Sequence, residues 1–300
     1  MGAPDFLETW SLGQLPRIER ALEGWLGDAR VPDHLGQAMR YAALGGGKRL
    51  RPLLVLAAAE AVQGHPQAAL RAACAVELVH AYSLVHDDLP CMDNDVLRRG
   101  KPTVHVRFGE PLALLAGDAL QTLAFELIVP EDAGIPEAMQ ARLSRLLAAA
   151  AGAQGMAGGQ AIDLVHVGQP LTEAQLCDMH RRKTGALLRA SVCMGAACAH
   201  QPVPPATWAA LAKYGAAVGL AFQVVDDILD ATADTATLGK TAGKDRIADK
   251  PTFVTILGLE KARAYAQQLL AQAEQALQAS ALAQTAHLRA LARRLVMRHA

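Results

Sequence analysis

The sequence predicts an all-α protein, a single large helical bundle around a deep central apolar cavity. Composition gives the first observation: of 300 residues, 52% are hydrophobic but only 4% aromatic. Ala and Leu dominate, and these favour helix, whereas β-branched and aromatic residues favour strands. Periodicity gives the second, because apolar residues recur at three- and four-residue spacing along most of the chain. Punctuation gives the third. Breaks fall at Gly45-Gly46-Gly47, Gly64-His65-Pro66, 130–136 and 201–205. The helices flanking the last break share one composition, so residues 1–300 are expected to form one domain.

The bulk numbers also exclude. Twenty-nine basic and 29 acidic residues cancel, which removes the net-charge argument for nucleic acid or an anionic membrane surface. Any anion site has to be a local concentration of Lys and Arg. The five cysteines, Cys74, Cys91, Cys177, Cys193 and Cys198, are odd in number and lack CxxC spacing. They read as small apolar residues in a reduced compartment. The first residues carry neither a basic segment nor a long apolar one. The apolar run from Leu53 to Ala59 is far short of the roughly 18 residues of a membrane span. A cytoplasmic protein without a membrane span is expected.

The elements follow in order. Residues 5–28 form an amphipathic outer helix through Leu15, Ile18, Leu22 and Leu26, and residues 33–44 a second through Leu35, Ala38 and Met39. Glycines 45–47 stop it. Lys48-Arg49-Leu50-Arg51-Pro52 follows, three cations at the start of a helix, a pattern suited to an anion cradle. The helix from Ala68 to Asp88 places His80, Ser83, Leu84 and Asp87 on one face. Pro90 cannot continue it, so Leu89 to Met92 should bulge and let Asp93 turn back toward Asp87. A basic turn, Arg98-Arg99-Gly100-Lys101-Pro102, comes next. Residues 111–129 read as a fully buried helix and residues 137–156 as another, followed by Gly158-Gly159-Gln160 and Asp163. Thr172-Glu173-Ala174-Gln175 is a capping-box pattern. Lys183-Thr184-Gly185 weakens its helix and predicts a kink. The helix from Thr207 ends in Asp226-Asp227-Ile228-Leu229-Asp230. Residues 231–252, with Lys240, Lys244 and Lys250, read as a lid. Two amphipathic helices close the chain.

Two acidic clusters, each ending an apolar helix, give the chemistry. Ionised carboxylates cannot be buried alone. Carboxylates without His or Cys select hard cations, and Mg²⁺ is the default where phosphate oxygens complete its shell. Basic groups at Lys48, Arg51, Arg98, Arg99, Lys183 and Lys240 add a multiply charged anion. Two phosphate-bearing groups over an apolar interior call for a substrate with a hydrocarbon tail.

These residues resemble the trans-isoprenyl diphosphate synthases. The matching stretches are Gly46-Gly47-Lys48-Arg49-Leu50-Arg51-Pro52, the DDxxxxD at 87–93 with Leu97 to Thr103, Gly159-Gln160 with Asp163-Leu164, Lys183-Thr184-Gly185, and Phe222 to Asp230. They stand in the family's order across residues 45–252, and five motifs in register are very specific. The resemblance implies head-to-tail condensation of isopentenyl diphosphate with an allylic diphosphate in a homodimer. It implies Mg²⁺, with Mn²⁺ as a substitute, held by Asp87, Asp93 and Asp226, with Asp88, Asp227 and Asp230 as nearby or outer groups. Arg98, Lys183 and Lys240 would neutralise the departing pyrophosphate. Lys48, Arg51, His80 and Arg99 would hold isopentenyl diphosphate, and oxygens near Thr184 and Gln223 would steady the allylic cation. Bulk below the first acidic cluster sets product length in this family. Tyr82, with Ser83 beside it, resembles a floor about 7.5 Å deeper along the helix, which favours the fifteen-carbon farnesyl product over geranylgeranyl. The bulge Leu89-Pro90-Cys91-Met92 is shared with geranylgeranyl-forming relatives, and Cys91 receives no role. A class I terpene cyclase would lack the isopentenyl cradle, and an inactive isoprenoid-binding subunit would lack an acidic cluster; here both features are present.

Overall fold

The computed structural model describes residues 6–131, 134–169, 171–232 and 251–297, and among them the fold is helical except for one short hairpin. The helices are α1 Phe6–Leu26, α2 Asp33–Ala43, α3 Leu50–Ala61, α4 Pro66–Asp87, α5 Val104–Phe108, α6 Glu110–Ile128 and α7 Glu137–Ala151. Then come α8 Met156–Val165, α9 Glu173–His180, α10 Ala186–Ala197 and α11 Pro205–Thr232. The chain closes with α12 Phe253–Leu257, α13 Leu259–Ala279 and α14 Ala286–Val296. The hairpin pairs β1 Leu97–Arg98 with β2 Lys101–Pro102. The segment expected to form a lid, with Lys240, Lys244 and Lys250, lies outside the described residues apart from its ends, as does Arg298.

Local chemistry sets the boundaries. Pro66 opens α4, and the His65 ring caps it by accepting from the Ala68 amide at 3.2 Å. The capping box at Thr172 and Gln175 starts α9. The kink expected at Lys183 is a π turn, Arg181–Gly185, joining α9 to α10. Packing runs from α6 to α4, α3, α10, α11 and α13 as neighbours. One continuous apolar core extends from Leu7 to Val296. Ala lines much of it, which lets helix axes approach closely.

Three expectations are corrected. α7 ends at Ala151 and α8 is a separate helix, because Gly152 and Gly155 break the run that reads as continuous to 156. α6 is not fully buried: Leu114 and Leu115 are 48% and 53% exposed. Its sequence is apolar all round, which cannot distinguish burial within the chain from an apolar outer face. The run at Leu53 to Ala59 is not the longest apolar stretch that bears on membrane crossing. α4, α6 and α11 are each long and apolar enough to cross a membrane by length and composition. In α4 and α11 that apolarity serves the bundle, since 72% and 67% of their apolar windows are buried.

Candidate active site

The first acidic cluster is shaped by the end of α4. Pro90 stops the helix, and the following residues close on themselves. The Met92 amide donates to the Leu89 carbonyl at 2.8 Å and the Asp93 amide to the Asp87 carbonyl at 2.9 Å. Asp93 thereby returns beside Asp87. Asp88 points the other way. It is buried, and Arg98 grips its carboxylate at 2.6–2.9 Å. The hairpin delivers Arg98: Arg99 and Gly100 both have positive φ, 52° and 73°, the geometry of a two-residue turn. Burial pushes the Asp87 carboxyl up to about 6, with the Asp93 and Asp88 charges adding to the rise and Lys183 and Arg98 opposing it.

A second region gathers cations without carboxylates at its mouth. Arg51 in the first turn of α3, His80 of α4 and Arg99 of the hairpin lie close enough for their charges to act on one another. Burial first, then the Arg99 charge, brings Arg51 down to about 10, against the pull of Glu77, and its Nε has no partner. Burial and four surrounding guanidinium groups hold His80 well below the usual imidazole range, so it is neutral. Arg99 donates to the Gly46 carbonyl. A side chain at Gly47 would place its Cβ 2.6 Å from Arg99 Nη1, and Gly47 has a φ of 137°. The backbone angle favours glycine there, whereas the Arg99 guanidinium could shift to make room. Lys48 is exposed at the rim. Arg49, the fourth of these guanidinium groups, adds only its charge to this region. It turns inward, donating to Glu77 and Glu19 at 2.7 Å and to the Ala43 carbonyl at 2.8 Å.

The π turn stands between the two acidic helix ends. On one side Lys183 acts on Asp87 and donates to Asp163 of α8 at 2.6 Å. On the other, the Thr184 hydroxyl donates to the Gln223 amide oxygen at 3.1 Å. The Gln223 amide nitrogen donates to Asp227 at 3.0 Å, and the Phe253 backbone N–H at the start of α12 donates to the same carboxylate at 2.8 Å. Asp227 is therefore buried and engaged, as Asp88 is. Asp226 and Asp230 are half-buried, and Asp230 Oδ1 is enclosed with no partner. Tyr82 and Ser83 lie deeper on α4, and the Ser83 hydroxyl donates to the His80 carbonyl at 2.9 Å. Lys240 lies outside the described residues.

The donors fit a hard divalent cation. They are all carboxylate oxygen, and the orphaned Asp230 oxygen and the raised Asp87 are what a cation would relieve. Among the described residues no three acidic, imidazole or thiol groups converge tightly enough to hold a metal alone, so oxygens of a bound anion would have to complete the shell.

Four residues gained no role from the sequence. Asp163 is the partner of Lys183. Gln160, three residues earlier, has both amide atoms buried without a partner. Phe253 acts through its backbone, which leaves no side-chain signal. Gly159 lies so close to the Lys183 backbone that any side chain would collide with it.

Comparison with known proteins gives the family. The polyprenyl synthetase family model matches residues 32–289. A probable farnesyl diphosphate synthase of Sinorhizobium fredii is 50% identical over 273 residues, 90% of this chain and 82% of the relative. A chloroplastic geranylgeranyl pyrophosphate synthase of Capsicum annuum is 46% identical over 250 residues, 83% of this chain and 67% of the relative. The structure resembles a geranyltransferase from Helicobacter pylori complexed with magnesium and isoprenyl diphosphate, with a TM-score of 0.84 at 35% identity, covering 99% of this chain and 98% of that one. The chain belongs to the polyprenyl synthetase family.

Proposed function

We propose that this protein is a farnesyl diphosphate synthase-type prenyltransferase. It condenses isopentenyl diphosphate head-to-tail with dimethylallyl and then geranyl diphosphate, and releases pyrophosphate. One observation carries this reading: the Lys183–Thr184 turn stands between two acidic helix ends, beside a separate cradle of Arg51, His80 and Arg99. Two diphosphates thus have two chemically different seats.

Asp87 and Asp93 on one side and Asp226 and Asp230 on the other would hold Mg²⁺, with Mn²⁺ as a substitute. The metal supplies charge that makes the allylic diphosphate a better leaving group. The allylic C–O bond breaks, and Lys183 and Arg98, with Lys240, neutralise the pyrophosphate. Arg51, Arg99, His80 and Lys48 orient isopentenyl diphosphate, whose double bond forms the new C–C bond. The departing pyrophosphate takes the proton. Oxygens of Thr184 and Gln223 are held in place to face the cation, and fixed dipoles of this kind are usually the largest catalytic term. The chain acts as one unit in the cytoplasm and pairs with a second copy through α6, whose exposed leucines support that contact. The five cysteines are all free, which suits a reduced compartment.

A second reading, a geranylgeranyl-forming enzyme, is favoured by the shared Leu89-Pro90-Cys91-Met92 bulge and the Capsicum relative. The purified protein with isopentenyl and geranyl diphosphates and Mg²⁺ tests both, with product length read by mass spectrometry. A fifteen-carbon product is expected. A twenty-carbon product selects the second reading, and pyrophosphate release without elongation indicates a cyclase. No turnover indicates a binding subunit.

A further inference from the structure

His86 immediately precedes the first acidic cluster, and the mechanism above does not use it. It lies one helical turn beyond Tyr82 on the α4 face that packs against α6. The two rings meet edge to face, with centroids 5.7 Å apart and planes at 72°. The far end of the His86 ring is fixed. Its Nε2 lies 3.0 Å from the Leu114 carbonyl of α6. A carbonyl only accepts, so Nε2 carries the proton and donates. The Asp118 carboxylate lies 3.9 Å from the same nitrogen.

The ring occupies space that α6 leaves open at one residue. A Cβ on Gly117 would run into His86 Nε2 and Cδ2 and come within 2.9 Å of Cε1. No side chain fits at Gly117 while His86 keeps this position. The Gly117 φ is helical, so space alone, and no special backbone conformation, requires glycine there.

We propose that His86 is a positioning residue for product length: clamped between Gly117 and the Leu114 carbonyl, it braces the Tyr82 ring at the depth where chain growth stops. The inference rests on reading Tyr82 as the floor of the cavity. It adds that the floor is a three-part assembly spanning α4 and α6. The Tyr82 ring is only half-buried, and Asp87 is near enough for its charge to act on the hydroxyl.

The test measures the ratio of twenty- to fifteen-carbon product, with isopentenyl diphosphate in excess, for Tyr82→Ala, His86→Ala, His86→Phe and Gly117→Ala in the full chain. Read at matched conversion, the ratio does not change with rate or folded fraction, so a merely structural role would not move it. His86→Ala is expected to raise the ratio at least threefold. Gly117→Ala, which displaces the ring, moves it the same way. His86→Phe keeps the edge contact and stays closer to wild type than His86→Ala. If Tyr82→Ala lengthens the product while His86→Ala and Gly117→Ala keep the wild-type ratio, the brace is overturned and the floor stands. If Tyr82→Ala also leaves the ratio unchanged, the floor reading fails and the brace with it. Should His86→Ala not fold, Gly117→Ala decides on the same criterion.

Discussion

Asp87 and Asp88 are adjacent, yet their settings differ, and Asp226 and Asp227 differ in burial in the same way. The first member of each pair is half-buried, Asp87 as the last residue of α4 and Asp226 six residues before the end of α11. The second is buried and already engaged, Asp88 by Arg98 and Asp227 by Gln223 and the Phe253 amide. This predicts opposite signatures for the isosteric variants. Asp87→Asn should raise the Mg²⁺ concentration for half-maximal rate by about tenfold or more, since losing even an outer partner of a ligand weakens a site on that scale, with little change in thermal stability. Asp88→Asn removes a buried partner of Arg98 and should cost about 1.5–3 kcal/mol of stability in denaturant melts, with a smaller change in Mg²⁺ requirement. Equal effects of both on the Mg²⁺ requirement would refute the division. The sequence shows six aspartates and their spacing. It does not show which carboxylates face the mouth, because that depends on where the hairpin brings Arg98 and where α12 begins. Arg49 teaches the same lesson. In sequence it is one of three cations after three glycines, but its φ of 46° turns it into the core against Glu19 and Glu77.

The π turn at Arg181–Gly185 is the element on which the site depends, since it offers Lys183 and Thr184 to the two acidic ends at once. Its position is set by α8, which passes directly over the Lys183 backbone at Gly159. Gly159→Ala should force the two apart, draw Lys183 from Asp163, and cost about 1–3 kcal/mol of stability as overpacking does. kcat should fall further than the KM for isopentenyl diphosphate rises, because the cradle is elsewhere; wild-type kcat in a folded variant would show that α8 does not position Lys183. The kink itself was legible, since Lys-Thr-Gly is a poor helix interior. Its π character was not, because that depends on the register between α9 and α10. The last residue of α9 supplies a pH prediction. His180 is buried against the Phe253 ring, 5.4 Å away, and neither ring nitrogen has a partner. Burial lowers its pKa from 6.5 to about 4, with Lys183 adding to the fall and Asp163 opposing it. Between these values the unfolded chain holds a proton that the folded chain does not. Stability therefore rises with pH from about 4 to 6.5 and is lost on acidification through that window, by about 3 kcal/mol in full. His180→Phe should flatten the fall in Tm between pH 7 and pH 5. An unchanged pH slope would assign the acid lability to other groups.

For the molecule as a whole, composition predicts the bundle but not its outer surface. Ala and Leu in helical register give the class, and Pro and Gly mark most boundaries. The same apolar residues serve inside and outside, so α6 reads as buried and is only partly so. α6 exposes Leu114 and Leu115, and α5 beside it exposes Val106, each close to half of its surface. Half-exposed apolar side chains on neighbouring helices, on a chain with zero net charge, are the surface expected of an association site. A second copy of the chain is the expected occupant. A two-fold contact sets the same patch against itself, so one substitution acts twice in each pair. Light scattering on the native protein should give twice the chain mass of 31.6 kDa. Leu115→Glu would bury two like charges across such an axis, and truncating or charging a central residue commonly costs about 2 kcal/mol or more per site. The dimer dissociation constant should then rise by at least 30-fold and the scattering mass should fall toward the monomer. Because α6 also carries Leu114 and Gly117 against His86, the monomeric variant should broaden its product distribution. A Leu115→Glu protein that keeps the native mass would move the contact off α6, and a monomer with unchanged product length would separate association from the cavity floor.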